Sequence, residues 1–285
     1  MTAPYPDLTS TALEAARAVA TAHGVRVGEP RLLHSGANVV VHLSPAPLVA
    51  RVATLTRLLR DGTTSFGREV RLAGALARAG APVVPPADLL PPGPHVHDGT
   101  VLSFWPLVEL LPEAPTPRQA GAAYAELRGF LADLPAEGRP LDTPLDDLAA
   151  FLRRAGEWGV PDGELAGLAA RLERLRPQLD GAARQLHGDA HPGNLLATRS
   201  GFRWGDLEDS CRGPEQWDLV ALRTTRRLDG RAALDSIGGP SDAELAPWLE
   251  LRELHVAAWF VVIAQGHPEF AAEAPDRIRR AADTG

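Results

Sequence analysis

Short β-type runs fall almost entirely within the first 105 of the 285 residues, and helical periodicity fills nearly all of the remainder. That asymmetry limits the architecture more than any other feature of the chain, because it asks for a small sheet beside a larger helical body. From Leu32 to Val52 the runs VVVHL and PLVARV are set off by the turn-forming segments SGAN and SPAP, which is hairpin material. VLSFW at 101–105 reads as a buried strand, and PPADLLPPGPHVHDG before it reads as proline-rich loops and turns. Thr9 or Ser10 is placed to cap a helix running through Leu13, Ala16 and Val19 to Gly24. A second helix fits 65–79, with Val70, Leu72, Ala73, Leu76 and Ala77 as its apolar stripe. Beyond Leu111 helical spacing recurs near 117–134, 144–157, 163–179, 214–227 and 247–265. It is interrupted once, by LLAT at 195–198 and GFRWGD at 201–206, which pair as a short hairpin. The expected class is α+β, with residues 1–105 as a β-rich unit, 106–285 as a helical unit, and a ligand cleft between them.

Charge and cysteine content narrow the setting. The net charge of -7 disfavours nonspecific nucleic-acid binding, which is usually supplied by a basic surface. It mildly favours a cationic ligand, although solubility alone accounts for the same charge. The lone Cys211 can form neither an internal disulfide nor a thiolate metal cluster, so a reducing cytoplasm is expected. MTAPYPDLTS lacks the basic and apolar regions of a secretory signal. VAAWFVVIA at 256–264 falls well short of the roughly 20 residues a membrane-spanning helix needs and reads as a buried helix.

The stretch LHGDAHPGNLL, 186–196, carries the chemistry. Asp189 precedes Asn194 by five positions, and Asp206 follows twelve positions later, at the end of the hairpin. Phosphoryl transfer needs a carboxylate to orient the acceptor hydroxyl and oxygen ligands to hold magnesium against the nucleotide phosphates. These three residues supply those groups in that order. Each taken singly also fits an ordinary role, Asp206 as a turn residue and Asn194 as a loop cap; the joint spacing favours the chemical reading.

H-G-D-x-x-x-x-N followed by an aspartate on the next strand resembles the aminoglycoside phosphotransferase family, whose fold is related to that of protein kinases. The likeness continues through GDLEDSCRGPEQWDLVAL at 205–222, where Gly213, Pro214, Trp217, Asp218 and Leu219 fall in register with the family's pattern. It spans roughly 30–265. The resemblance implies a two-lobed protein-kinase-like fold, ATP and Mg2+ as cofactors, Asp189 as catalytic base, and Asn194 and Asp206 as metal ligands. It gives His187 a loop-supporting role and makes Asp218 a buried acceptor for catalytic-loop backbone.

The amino-terminal match is looser. HSGANVVVHL resembles the family's nucleotide loop, so the amides around Ser35, Gly36 and Asn38 are candidates to cap phosphates, though an ordinary hairpin turn explains the segment equally well. Kinase folds place a lysine on the third strand, paired with a glutamate on the next helix. Here LVARVA puts Arg51 at that point, with Glu69 on the helix. VLSFWPLVE fits the connector whose backbone, near Phe104, Trp105 and Leu107, reads the adenine edge; core aromatics fit it too.

Only about ten residues separate Asp206 from Trp217, too few for a protein kinase's activation segment. A nucleotide-binding pseudokinase serving as a sensor or interaction module remains an alternative, as do kinases of choline or a sugar. The expected acceptor is a hydroxyl on a small cationic molecule, an aminoglycoside or related antibiotic, with Glu208 and Asp209 as candidate contacts and antibiotic resistance as the corresponding role.

Overall fold

The computed structural model describes residues 8–136 and 138–283. Five antiparallel strands form the sheet: β1 (Arg31–Ser35), β2 (Asn38–His42), β3 (Leu48–Ala53), β4 (His95–His97) and β5 (Thr100–Pro106), in the order β1-β2-β3-β5-β4. Strand alternation sorts their side chains. Val39, Val41, Ala50, Val52, Leu102 and Phe104 turn to one face and pack on α1 (Leu8–Ala22), whose Ala12, Ala16, Val19 and Ala20 form a small-residue stripe. Val49 and Trp105 turn the other way, into the larger core. Arg51, with the same parity as Val49, therefore reaches the cleft rather than α1.

α2 (Gly62–Arg78) begins three residues before the apolar spacing indicates. Asp61 caps it, accepting from the Thr63 and Thr64 amides, and these polar residues carry no hydrophobic signal. Thr9 and Ser10 lie inside the first turn of α1, not ahead of it. The proline-rich segment before β5 is not wholly loop, since β4 pairs with β5 through His95 and Leu102.

The helical part comprises α3 (Pro117–Ala132), α4 (Asp142–Arg154), α5 (Asp162–Leu175), α6 (Gln216–Arg223), α7 (Gly230–Asp235), α8 (Ala246–Ala264) and α9 (Ala274–Ala282). Tyr124, Phe151, Trp204, Trp217 and Leu251 are fully enclosed within it. The expected hairpin is β7 (Leu195–Thr198) with β8 (Gly201–Trp204), which ends two residues before Asp206. A second strand pair also interrupts the helices: β6 (Ala183–Leu186) with β9 (Cys211–Pro214). Each is four residues long and neither alternates cleanly, so periodicity could not reveal them. Their pairing sets Leu186 opposite Cys211 and brings the two ends of 187–210 together. The Cys211 thiol is buried, and burial pushes its pKa well up.

Arginines fasten the sheet part to the helices. Arg154 of α4 donates to the Leu58 carbonyl, and Arg68 of α2 donates to Thr143 and to the Ser210 carbonyl. Among the described residues no helix is long and apolar enough to cross a membrane.

Candidate active site

The loop after β6 is fixed by its backbone. Asp218 of α6, fully buried, accepts from the amides of His187 (3.0 Å) and Gly188 (2.7 Å). Burial raises the Asp218 pKa to about 7, against the lowering effect of those two amides. Gly188 has φ +88°, and a Cβ there would lie 1.9 Å from the Asp209 carbonyl oxygen, so no side chain fits. His187 is enclosed beside Trp204; its Nδ1 accepts from the Asp189 amide at 3.3 Å and its Nε2 lies 3.1 Å from the Gly205 carbonyl. Burial lowers its pKa, and both contacts suit a neutral ring with its proton on Nε2.

These ties present Asp189 to the cleft. Its Oδ1 accepts from Arg252 of α8 at 2.5 Å, and its Oδ2 lies 3.3 Å from His191 Nε2. Burial alone would raise the carboxyl's pKa, but Arg252 and His191 outweigh it and hold it well below the usual carboxylate range. Asn194 Nδ2 donates to the Asp189 carbonyl (2.9 Å) and more weakly to Oδ2 (3.3 Å). The Asn194 carbonyl in turn accepts from the Gly205 amide, which sets Asp206 next to this loop.

Asp206 takes a left-handed backbone, φ 60°, and its Oδ1 accepts from Arg51 at 2.7 Å. Arg51 also pairs with Glu69, and Glu69 Oε1 accepts from the Leu207 amide at 3.2 Å. The sheet, α2 and the segment after β8 thus meet on one guanidinium. Burial raises Glu69 to about 7 and Glu208 to about 8, with Arg51 pulling each back. Both Glu208 oxygens accept from Asn38 Nδ2, at 2.9 and 2.8 Å, while Asn38 Oδ1 accepts from Thr56. The Asn38 side chain is thus engaged on both atoms, and the Gly36 amide donates to the Asn38 carbonyl.

Two cavities meet at Asp206. One, of about 190 Å³, is an apolar slot between sheet and helices, walled by Val40, Val49, Val84, Trp105, Leu196 and Leu207, with Arg51 and Glu69 also on its lining. Trp105 faces this slot, whereas Phe104 lies on the α1 face, its amide donating to the Pro92 carbonyl and its carbonyl accepting from the Ala87 amide. The Leu107 amide is given to Pro47, and among the described residues the Val108 amide has no partner. The second cavity, about 280 Å³, opens on the far side of Asp206 and holds Asp189, Arg252, Arg60, Glu208, Asp209 and one face of α8. A larger cavity of about 580 Å³ between α5, α8 and α9 includes none of these groups.

Arg60, His255 and Trp259 gave no signal in the sequence, whereas Asp147 is one of several carboxylates it offers for an acceptor pocket. Arg60 grips buried Asp147 through Nε (2.8 Å) and Nη2 (2.5 Å), pairs with Asp209, and lies 4.8 Å from the Trp259 ring centroid. His255 and Trp259 of α8 also reach Asp147, both at 2.9 Å. Burial opposes ionisation of Asp147, yet Arg60 and His255 hold its pKa below the usual range. Only tertiary packing brings these residues together: Asp147 lies 87 positions from Arg60 and 112 from Trp259.

Comparison with known proteins decides the family. The sequence profile described as the phosphotransferase enzyme family (APH) matches residues 14–254. The chain belongs to that family. No curated protein of similar sequence was found. Among solved structures, it is similar to the amicoumacin kinase hAmiN in complex with AMP-PNP, Ca2+ and Ami (12% identity, 96% of this chain and 95% of that one, TM-score 0.69). It is also similar to a microcompartment-associated aminopropanol kinase (19%, 93% and 94%, 0.64) and to the choline kinase LicA from Streptococcus pneumoniae (13%, 94% and 98%, 0.62). This phosphotransferase is a small-molecule kinase on the two-lobed protein-kinase-like fold that those structures share. Among its described residues no three His, Cys, Asp or Glu side chains converge into a ready metal cage. Asn194 Oδ1 and Asp206 Oδ2 are oxygen donors without a protein partner there, which fits a hard cation that takes its remaining ligands from phosphates and water.

Proposed function

We propose that this phosphotransferase moves the γ-phosphoryl group of ATP to a hydroxyl of a small amine-bearing molecule, with Asp189 as base and Asn194 and Asp206 as magnesium ligands. The observation that carries this reading is that Asp206 lines both cavities, the apolar slot and the polar pocket holding Asp189. A base stacked in the slot would send its phosphates past Arg51 toward Asp206, and an acceptor in the pocket would meet them from the Asp189 side. On this reading residues 1–105 are the nucleotide lobe and 106–285 the catalytic lobe.

Asp189 is suited to accept the acceptor's proton because Arg252 and His191 keep it ionised. Arg51, fixed by Glu69, stands where a lysine usually grips the phosphates, and the Trp105 ring and Val108 amide are available to a base. Magnesium, when bound, neutralises phosphate charge.

The preference for an amine rests on Asp189, Asp206 and Asp209 outnumbering Arg60 and Arg252 around the pocket, with Glu208 adding to the negative charge as it ionises. Such an enzyme would act in the cytoplasm, and an aminoglycoside-type antibiotic is one acceptor of this kind, with resistance as the result. A second reading, a nucleotide sensor without turnover, is favoured by Arg51, which replaces lysine and already occupies Asp206.

The test is a mass-spectrometric screen of amino sugars, choline-like amines and neutral sugars with magnesium and ATP, at low and moderate salt. Gain of one phosphoryl group on amines, weakening as salt rises, is the expected result. Transfer to neutral sugars alone would remove the amine, and nucleotide binding with no transfer to any acceptor would favour the sensor.

A further inference from the structure

Along α8, Arg252, Val256, Trp259, Phe260 and Ile263 recur at helical spacing and all face the 280 Å³ pocket. Arg252 marks the end at Asp189. The four apolar residues leading away from it are only half-buried, although the neighbouring Ala257, Ala258, Val261 and Val262 are enclosed. The acceptor pocket thus has one apolar wall continuous with the reacting centre, and Ala37 of the β1–β2 turn lies across from it.

The polar floor is largely satisfied from within the chain. Asp147 is held by Arg60, His255 and Trp259, Asp209 by Arg60, Glu208 by Asn38, and Asp189 by Arg252. The Trp259 ring already has the Arg60 guanidinium 4.8 Å from its centroid, so it is not a free platform for an acceptor ammonium. A polycation would have to displace several of these partners, and unpairing buried charges is costly. Contact with the exposed parts of Val256, Trp259, Phe260 and Ile263 requires no such exchange, although Arg60 and Arg277 lie over the Trp259 and Phe260 rings.

We infer that the acceptor is an amphipathic alcohol, bearing at most one amine, whose apolar part lies along Val256, Trp259, Phe260 and Ile263 while its hydroxyl meets Asp189. This deepens the kinase reading and rests on it. The acceptor oxygen forms the new bond to the γ-phosphorus as the bond from that phosphorus to the bridging β-γ oxygen breaks. The hydroxyl proton passes to Asp189, and ADP leaves with the electron pair. Polyhydroxylated, polycationic amino sugars become poor acceptors on this view, whatever their attraction to the pocket's net charge.

The experiment uses the full chain with magnesium and ATP and a graded set of acceptors: 2-aminoethanol, 1-amino-2-propanol, 2-amino-1-phenylethanol, benzyl alcohol and kanamycin. Phosphoryl gain is read by mass spectrometry, and kcat and KM are taken for each. The expected result is kcat/KM rising at least about tenfold from 2-aminoethanol to 2-amino-1-phenylethanol, which is the effect of burying a few methylene equivalents. Ile263→Glu should remove most of that gain through KM, with kcat little changed, and Ile263→Val should keep it. A flat or falling series, or kanamycin as the best acceptor, overturns the inference and leaves the kinase reading standing. So does a rising series that Ile263→Glu fails to alter while the variant keeps the parent's melting temperature. The wild-type series decides the matter even if that variant does not fold. No transfer to any acceptor, with nucleotide bound, overturns the kinase reading and the inference together.

Discussion

Two glycine-bearing segments face the same cleft and are built to different tolerances. Around Gly188 the backbone is held by Asp218 through two amides, it runs at positive φ, and it lies against the Asp209 carbonyl with no room for a methyl group. Around Gly36 the chain is an ordinary tight turn whose nearest obstacle to a Cβ is the end of the His34 side chain, at 2.8 Å, and φ is not positive. On the proposed reading, the segment that places the reacting carboxylate is overdetermined, whereas the β1–β2 turn can give. A base must be positioned to within a fraction of an ångström, while a phosphate can be met by water, a metal or several amides.

The largest expected effect breaks the chemistry at the rigid segment. Asp189→Asn should keep the fold and nucleotide affinity yet lower kcat by about 10² to 10⁴; a folded variant with near-normal turnover would take Asp189 out of that role. Next, Gly188→Ala should cost roughly 3 kcal/mol or more in urea unfolding, since positive-φ strain and overpacking against backbone act together. A loss under 1 kcal/mol would mean the loop is looser than its contacts imply.

Third, Arg51→Ala should weaken magnesium-ATP binding about tenfold or more in calorimetry, with Arg51→Lys recovering part of it, because lysine restores the charge without the fork that spans Glu69 and Asp206. Unchanged affinity in the alanine variant would favour a purely internal role for this guanidinium. Fourth, Glu69, Asp218 and Glu208 have folded pKa values near 7, 7 and 8, raised from 4.5, 3.8 and 4.5, so the folded state holds more protons than the unfolded state in between. Their contribution is complete below the unfolded value and is lost as pH rises through 7 and 8. His187, kept neutral by burial, works in the opposite direction below about pH 6.5. The melting temperature of the nucleotide-free protein should therefore fall by a few degrees from pH 6.5 to 8.5, and Glu208→Gln should flatten that slope while still accepting from Asn38. A flat wild-type profile would show that these three carboxyls do not change charge in that window. The smallest effect belongs to the tolerant turn: Gly36→Ala should shift stability by about 0.5 kcal/mol or less and KM for ATP by about twofold or less. A large change in either would place this turn beside Gly188 rather than opposite it.

The same contrast governs what the sequence disclosed. The spacing of Asp189, Asn194 and Asp206 is legible because one loop and one hairpin carry all three. The α+β layout is legible because alternation and helical periodicity are local signals. Arg252 is different: it stands on a helix whose sequence reads as core, and only the packing of α8 beside the loop brings it to Asp189. Asn38 and Glu208 are 170 positions apart, and nothing near either one announces their bond. Phe104 and Trp105 are neighbours that strand parity sends to opposite faces, and the Phe104 backbone is already taken up by Pro92 and Ala87, which residue types alone do not disclose. The pair β6 and β9 escaped notice because four-residue strands are too short to show a period.

The burial of Cys211 also gives an experimental handle. With its thiol enclosed and its pKa pushed well up, almost none of it exists as thiolate at neutral pH, so alkylating reagents should leave it untouched. It is the chain's one cysteine, so no native residue needs to be removed before labels are introduced. Val96 on β4 and Arg279 on α9 are both exposed, and cysteines placed there would accept a donor and an acceptor dye on opposite parts of the molecule. Energy transfer between the dyes would then report in real time how far the cleft closes as nucleotide and acceptor arrive.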